Sequence, residues 1–233
     1  MKSRANIHDI YRWLGHRFRA KRAGWLRQQV VNCDSILDVG GDYRFWRDFV
    51  GWKPPRLALL NLTPFAGRVL QGAWHIQADA LALPLTDQSF DLAMSNSVIE
   101  HVPDQAKFAS EMMRVGKAVY CQTPSKWFPI EPHCLGLFVH WLPKQWFTHA
   151  IHRYLTLHGL LDKPDQRATT EFKKEVHLLG KKDLRQMFPG CTIMTERFLG
   201  LPKSYVVLWC GKSKVSLSKC FDSMSAPWVD IVN

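Results

Sequence analysis

The sequence predicts an α/β protein built on a mostly parallel sheet, and three observations predict it. Between residues 33 and 122, short apolar runs alternate with helical or turn-rich stretches, the rhythm of βαβ units. The first run, Ser35-Ile-Leu-Asp-Val, ends in a glycine pair, Gly40-Gly41, where absent side chains let the backbone come close to a ligand. Composition is that of a packed globular chain: 233 residues, 46% apolar and 22% charged, which excludes disorder.

The elements follow in order. From Ile7 to Phe18 large apolar residues fall at 7, 10, 11, 14 and 18, one face of an amphipathic helix, with Arg12, Arg17 and Arg19 off that stripe. Gly24 is expected to break or bend it before a segment from Trp25 to Val31. Strands are expected at 35–39, 56–62, 74–77, 90–95 and 118–122. A helix before the last has Asp104 as N-cap and Phe108, Met112 and Val115 as its apolar side. Residues 124–180 break the rhythm, because Pro124, Pro129, Pro132, Pro143 and Pro164 punctuate aromatic-rich pieces such as Leu137–Trp146, read as helical. A helix over 181–188 and a strand pair at 192–198 and 205–210 close the pattern. The domain organisation is therefore residues 1–32 as a basic amphipathic helical segment and 33–233 as one domain with a helical lid at about 124–180.

Charge and length narrow the function classes. The net charge is +11, and residues 2–27 hold +7 of it, with eight basic groups against Asp9, which favours an anionic partner. The longest apolar runs, such as Ser204–Cys210, fall far short of the roughly 20 residues a membrane-crossing helix needs. The N-terminus lacks the apolar core of a signal peptide, so a cytoplasmic protein is expected. Six cysteines, at 33, 121, 134, 191, 210 and 220, form no C-x-x-C pair and read as free thiols. Neither the P-loop nor the G-x-G-x-x-G pattern is present, which argues against nucleotide hydrolysis.

What gives the glycine turn meaning is the series after it: Leu60-Asn-Leu-Thr-Pro64 at the end of the second strand, Ala78-Asp-Ala80 after the third, and Leu83 to Val102 through the fourth. Together these resemble the class I S-adenosylmethionine-dependent methyltransferases, in particular the type 11 branch. The resemblance covers residues 33–122 strongly and the end of the chain more loosely. It implies a Rossmann-like, seven-stranded, mostly parallel sheet of order 3-2-1-4-5-7-6, the seventh strand antiparallel, with helices on both faces. It also implies S-adenosyl-L-methionine as cofactor, with Asp38, Gly40 and Gly41 at the methionine end, Asn61 and Leu62 at the ribose, Asp79 and Ala80 at the adenine edge, and Ser95 and Asn96 closing the pocket. Read as residues alone, Asp79 serves equally as a turn cap and Asn61 as a turn former before Thr63-Pro64. The family's D-x-G-x-G-x-G reads Asp38-Val-Gly-Gly-Asp-Tyr-Arg44 here, so Asp42 and Arg44 replace glycines. Asn61 stands where an acid is usual.

Methyl transfer to an oxygen or nitrogen requires alignment and removal of a proton, a task suited to histidine. The candidates are His101 after the fourth strand and His133 in the insertion, with Glu100 and Glu131 placed to orient imidazoles, bind an amine, or be solvated. A Glu–His pair would suit a divalent ion, but the dense carboxylate set of a metal-dependent catechol site is missing, so no metal is expected. The place of the Asp/Asn-Pro-Pro-aromatic turn of amine-directed base methylases reads Ser95-Asn-Ser-Val98, and Cys121-Gln-Thr-Pro124 has the wrong order for a cytosine-C5 enzyme; base modification of nucleic acid is disfavoured. The expected acceptor is a small molecule, glycan or lipid-linked substrate, with residues 1–27 contacting an anionic membrane at its inner surface. Two other readings stay open: a non-catalytic methyltransferase-fold module that docks an anionic partner, and an RNA ribose methyltransferase.

Overall fold

The computed structural model describes residues 16, 19–27, 30, 33–65, 67, 69–143, 145–210 and 229–232. Most of the helical stripe expected over residues 7–18 lies outside them, as does Cys220. The sheet grows from β1 (Ser35–Val39), whose five residues are all buried. A strand buried along its whole length is stable only with both faces covered and a parallel neighbour on each edge. β1 has both neighbours, pairing in parallel with β2 (Arg56–Asn61) on one side and β4 (Phe90–Asn96) on the other. Beyond them lie β3 (Trp74–Gln77) on β2, and β5 (Gly116–Pro124) on β4.

Two strands of opposite direction complete the expected order. The chain makes a tight hairpin between β8 (Thr192–Phe198) and β9 (Leu201–Cys210), and β9 inserts antiparallel beside β5. Leu199 and Gly200, the two turn residues, both have positive φ (51° and 79°), the backbone whose twist matches a two-residue hairpin. The order β3-β2-β1-β4-β5-β9-β8 is the 3-2-1-4-5-7-6 arrangement expected. An eighth strand, β10 (Val229–Val232), pairs antiparallel with β8, and sequence reasoning had no expectation of it.

The alternation along β1 divides the core. Ile36 packs with Leu26, Trp46, Leu57, Leu59, Met94 and Tyr120 on one face. Leu37 and Val39 pack on the other with Phe108, Met112, Leu184 and Phe188. The second face is covered by α1 (Gln105–Val115), whose Asp104 side chain accepts from the Lys107 N–H as the expected N-cap, and by α5 (Lys181–Met187). The first is covered by the helical residues 19–27 and a π-helix, Phe45–Val50.

Residues 125–180 form a small layer of their own. A two-stranded ribbon, β6 (Ile130–Glu131) and β7 (Gly136–Leu137), precedes three short helices, α2 (His149–Leu155), α3 (Leu157–Asp162) and α4 (Gln166–Glu175). Cys134, Val139 and Phe147 are buried together against Ile151 and Phe172. Both ends are fastened to the sheet: Ser125 N–H donates to Lys203 O, Lys126 N–H to Leu179 O, and His177 N–H to Glu100 O at 2.8 Å.

Two expectations are corrected. Helix continues through Gly24, because a glycine weakens a helix by only about 1 kcal/mol and Arg22, Ala23, Trp25 and Leu26 around it are buried. The stretch Leu137–Trp146 is not a helix; it holds the end of β7 and one 3-10 turn, Val139–Trp141, entered through Phe138 at φ 59°.

The packing yields a graded stability prediction. Arg22 and Glu196 form a buried ion pair at 2.9 Å, and Ser204 Oγ also donates to Glu196. Removing one partner strands a charge, so Arg22→Ala should lower unfolding free energy by about 3–5 kcal/mol. Asp104→Ala, which removes one exposed cap, should cost about 1 kcal/mol. Urea unfolding of both variants checks the ranking, and equal losses would contradict it.

Candidate functional site

The carboxyl ends of β1 and β4 open onto a cavity of about 1040 Å³. A crevice at this edge of a parallel sheet is the ordinary ligand position of an open α/β fold. Of the expected residues it brings together Asp38, Gly40, Gly41, Asn96, His101 and His133. Glu100 lies directly behind the two histidines, fully buried. Asn61, Leu62, Asp79, Ala80 and Ser95 are not in its wall. Asn61 Nδ2 donates to Gly41 O at 2.9 Å and so braces the turn. Leu62 is 69% exposed. Asp79 accepts from the Leu81 N–H, the turn-cap role, while Ala80 packs against the core.

The glycine turn is held by geometry that only glycine meets at its first position. Gly40 has φ 75°, and a Cβ there would come within 2.3 Å of Val98 Cγ2. Its N–H donates to Leu60 O at 2.7 Å, locking β1 to β2 where the chain leaves the sheet. Asp42 and Arg44 do not strain the turn, since neither has positive φ; Asp42 Oδ1 instead accepts the Arg44 N–H at 2.9 Å. The π-helix starts at once, and its Trp46 donates Nε1–H to Asp38 Oδ2 at 2.7 Å. Burial pushes the Asp38 carboxyl up to about 7 despite that hydrogen bond. Nothing in the spacing signalled Trp46 as a partner of Asp38.

At β4, Ser97 takes a left-handed backbone, φ 53°, rare for a residue with a side chain. It is held there by Ser97 N–H to Gln122 O and Ser97 Oγ to Gln122 Oε1, both at 2.9 Å. The bend sets Asn96 at the cavity wall, where both atoms of its amide are buried without a hydrogen-bond partner. The chain then enters the 3-10 turn Ile99–His101. Sequence reasoning named Asn96 but gave no hint of the strained residue behind it.

The turn presents Glu100 and His101 to His133 of the insertion. The two imidazoles meet edge to face, centroids 4.7 Å apart. Glu131 Oε1 lies 2.6 Å from His133 Nδ1, and its other oxygen accepts the Cys134 N–H at 2.6 Å. Of the roles open to Glu131, orienting an imidazole is therefore the one its geometry serves. His133 Nε2 points towards Glu100 Oε1, 4.0 Å away. Glu100 Oε2 accepts from Thr123 Oγ1 at 3.0 Å, whereas Oε1 is buried with no hydrogen-bond partner. Burial raises Glu100 to about 7. Burial also opposes charge on His133, but the hydrogen bond and charge of Glu131 outweigh it and raise its pKa. The cavity walls and neighbouring His133 hold His101 down at about 4, so its ring is neutral at pH 7.

A second cavity of about 440 Å³ lies within the insertion, lined by Trp127, His140, Trp141 and Phe147, and it shares Phe172 and Val176 with the first. The aromatic composition of the insertion made such a surface legible, but not that it adjoins the histidine pair.

Comparison with known proteins bears on the fold and on the segment around the sheet. A methyltransferase-domain family profile matches residues 62–118. An uncharacterized methyltransferase of Mycobacterium sp. (strain JLS) is 33% identical over 145 residues, covering 56% of this chain and 53% of its own. One of Mycobacterium ulcerans (strain Agy99) is 38% identical over 152 residues, covering 58% and 56%. The chain thus spans about half the length of the curated relatives it matches. The crystal structure of an S-adenosylmethionine-dependent methyltransferase from Mesorhizobium loti superposes with TM-score 0.50 at 17% identity, over 80% of this chain and 96% of that one. The sheet order and this superposition show the Rossmann-like fold, and over residues 62–118 the chain is similar to methyltransferase domains.

Proposed function

We propose that the protein transfers a methyl group from S-adenosyl-L-methionine to an oxygen or nitrogen of a small-molecule, glycan or lipid-linked acceptor. The observation that carries this reading is one cavity joining Asp38, the Gly40 turn and the unpartnered Asn96 amide to a Glu–His–His cluster. The cofactor supplies an electrophilic methyl on a sulfonium, open to in-line displacement.

The chain's own residues do the rest. The Asn96 amide, with both a donor and an acceptor free, fits the amino-acid end of the cofactor without reorganising. The Asp38 carboxyl faces the α-ammonium of that end, whose charge favours its ionised form. Asn61, Leu62, Asp79, Ala80 and Ser95 stand on the neighbouring strand ends, where the ribose and adenine would reach. On the acceptor side Glu131 fixes the His133 ring, leaving Nε2 as the atom available for the nucleophile's proton. Neutral His101 beside it serves as a hydrogen-bonding partner for the acceptor. The insertion acts as a lid, with the aromatic second cavity taking the apolar or sugar body of the acceptor. The basic N-terminal segment would bring the protein to an anionic membrane surface.

Isothermal titration with S-adenosylmethionine and its demethylated product tests the reading. Both should bind wild type, and Gly40→Arg should bind neither, because its side chain would fill the turn. His133→Ala should keep cofactor affinity and lower turnover about 10²–10⁴-fold, the range of a lost proton-handling group. No binding to wild type at millimolar concentration would sink the proposal.

Asp38 supplies a separate pH test. Its folded pKa, about 7, exceeds the unfolded value of about 3.9, so the stability it contributes is present below about pH 4 and lost as pH rises through about 7. Wild type should therefore lose on the order of 2–4 kcal/mol more than Asp38→Asn between about pH 4 and about pH 8. Parallel denaturation curves for the two proteins would show that the carboxyl does not titrate this way.

A further inference from the structure

We propose that Glu100, His101 and His133 form the binding site of a divalent cation of the zinc or manganese kind, whose open positions take an oxygen of the methyl acceptor. The cation site stands on geometry alone; its link to the acceptor rests on the methyltransferase reading.

One ligand atom from each of the three residues lies within 4.8 Å of the other two. Atoms bound to one ion at about 2.1 Å sit about 3–3.5 Å apart, so modest side-chain rotations close the set. His101 is exposed, which leaves its ring room to turn towards the other two. Glu100 Oε1 provides an independent observation. It is buried, aimed into the cluster, and has no hydrogen-bond partner, while Oε2 is occupied by Thr123. A buried carboxylate oxygen without a partner is costly, and the 4.0 Å to His133 Nε2 is too long for a hydrogen bond. An ion between them would satisfy both atoms.

The surroundings are those of a ligating histidine. Glu131 holds His133 Nδ1 at 2.6 Å and is itself fixed by the Cys134 N–H, a carboxylate–histidine arrangement that sets the tautomer and leaves the Nε2 lone pair for a metal. Two imidazoles and one carboxylate suit a first-row divalent ion better than calcium or magnesium, which prefer oxygen ligands. Three protein ligands leave coordination positions free, and His101 and His133 both line the large cavity, so those positions face the acceptor's side. A hydroxyl held there would lose its proton to water more readily, with no need for His133 to accept it. The acceptor class narrows accordingly to oxygen nucleophiles, hydroxyl-bearing metabolites or sugars.

The test uses the full chain, freed of metal by a chelator, titrated with Co²⁺ and followed by its visible absorption, with Zn²⁺ as competitor. Affinity for the demethylated cofactor is measured on the same samples. One equivalent of Co²⁺ should bind per chain and be displaced by Zn²⁺. His133→Ala and Glu100→Gln should weaken binding at least tenfold, and Glu131→Gln about 10–100-fold, the usual cost of losing a residue that orients a ligand. Because Glu100 is buried, His101→Ala provides a variant at an exposed position, also expected to lose at least tenfold. Absence of Co²⁺ binding by protein that binds the demethylated cofactor would overturn the cation site and leave the methyltransferase reading intact. Binding unchanged in His101→Ala and His133→Ala would overturn it too, placing the ion on other histidines. Co²⁺ binding without cofactor binding would keep the site and remove its link to methyl transfer.

Discussion

The burial of β1 on both faces and both edges is the constraint on which the other features depend. A strand with no solvent-facing side must be closed by parallel neighbours, and β2 and β4 supply them in continuous register. That arrangement gathers the carboxyl ends of three strands at one edge. There β1 ends at Val39, one residue after Asp38, Gly40 turns out of the sheet with its N–H still bonded to Leu60 O, and β4 ends at Asn96. The polar residues of the cavity are therefore placed by the hydrogen bonding of the sheet, with little demand on side-chain packing. A residue such as Gly40 cannot be exchanged without disturbing Val98, which belongs to the turn leading into Glu100 and His101. The glycine turn and the turn carrying Glu100 and His101 are thus mechanically joined through two residues.

Much of the sheet was legible because its signals are local. The short buried strand Ser35–Val39, the glycine pair and the Asp104 cap with its apolar stripe each specify an element by its own chemistry. The insertion was less legible because proline and aromatic residues constrain chain direction without fixing a period. Leu137–Trp146 has helical composition, yet Phe138 adopts a left-handed backbone and the segment becomes the end of a ribbon and a single turn. β10 went unread for a related reason: four residues at a sheet edge carry almost no periodic signal, and their pairing with β8 is a long-range event.

For the site, legibility followed sequence proximity to strand ends. Asp38, Gly40, Gly41 and Asn96 were found by position and do line the cavity. Asn61 and Asp79 were found by the same logic, but the Asn61 side chain donates to Gly41 O on the neighbouring turn, while Asp79 caps its own turn, the alternative read for it. The supporting contacts were not legible. Trp46 reaches Asp38 from a helix turn, Gln122 holds Ser97 from the next strand, and Thr123 takes one oxygen of Glu100 from the same strand. Each is a contact across the fold whose partners share no recognisable spacing. The association of His101 with His133 had a compositional hint, because both lie in segments expected beside the cavity; only the fold shows that Glu131 aims the second ring at Glu100.

Placing a buried carboxylate beside two histidines is unfavourable unless something holds the three segments together, and the backbone of Glu100 does this. Its carbonyl accepts the His177 N–H from the end of the insertion, while Gln105 Nε2 bridges Ile99 O and His177 O from α1. The strand-4 turn, the first residues of α1 and the returning arm of the insertion therefore meet at the backbone of Ile99, Glu100 and His177. His133 enters from the opposite side, on the ribbon that carries Glu131. With the return of the insertion anchored at Glu100 and its start anchored through Ser125 and Lys126, the ribbon between them has a fixed base. This explains how a side chain more than thirty residues along the chain can be held near Glu100 without a disulfide or a continuous sheet. Positioning by hydrogen bonds at both ends of an insertion leaves the residues between free to vary in size and apolarity. A single scaffold can then keep its Glu–His–His cluster constant while the aromatic cavity beside it changes shape.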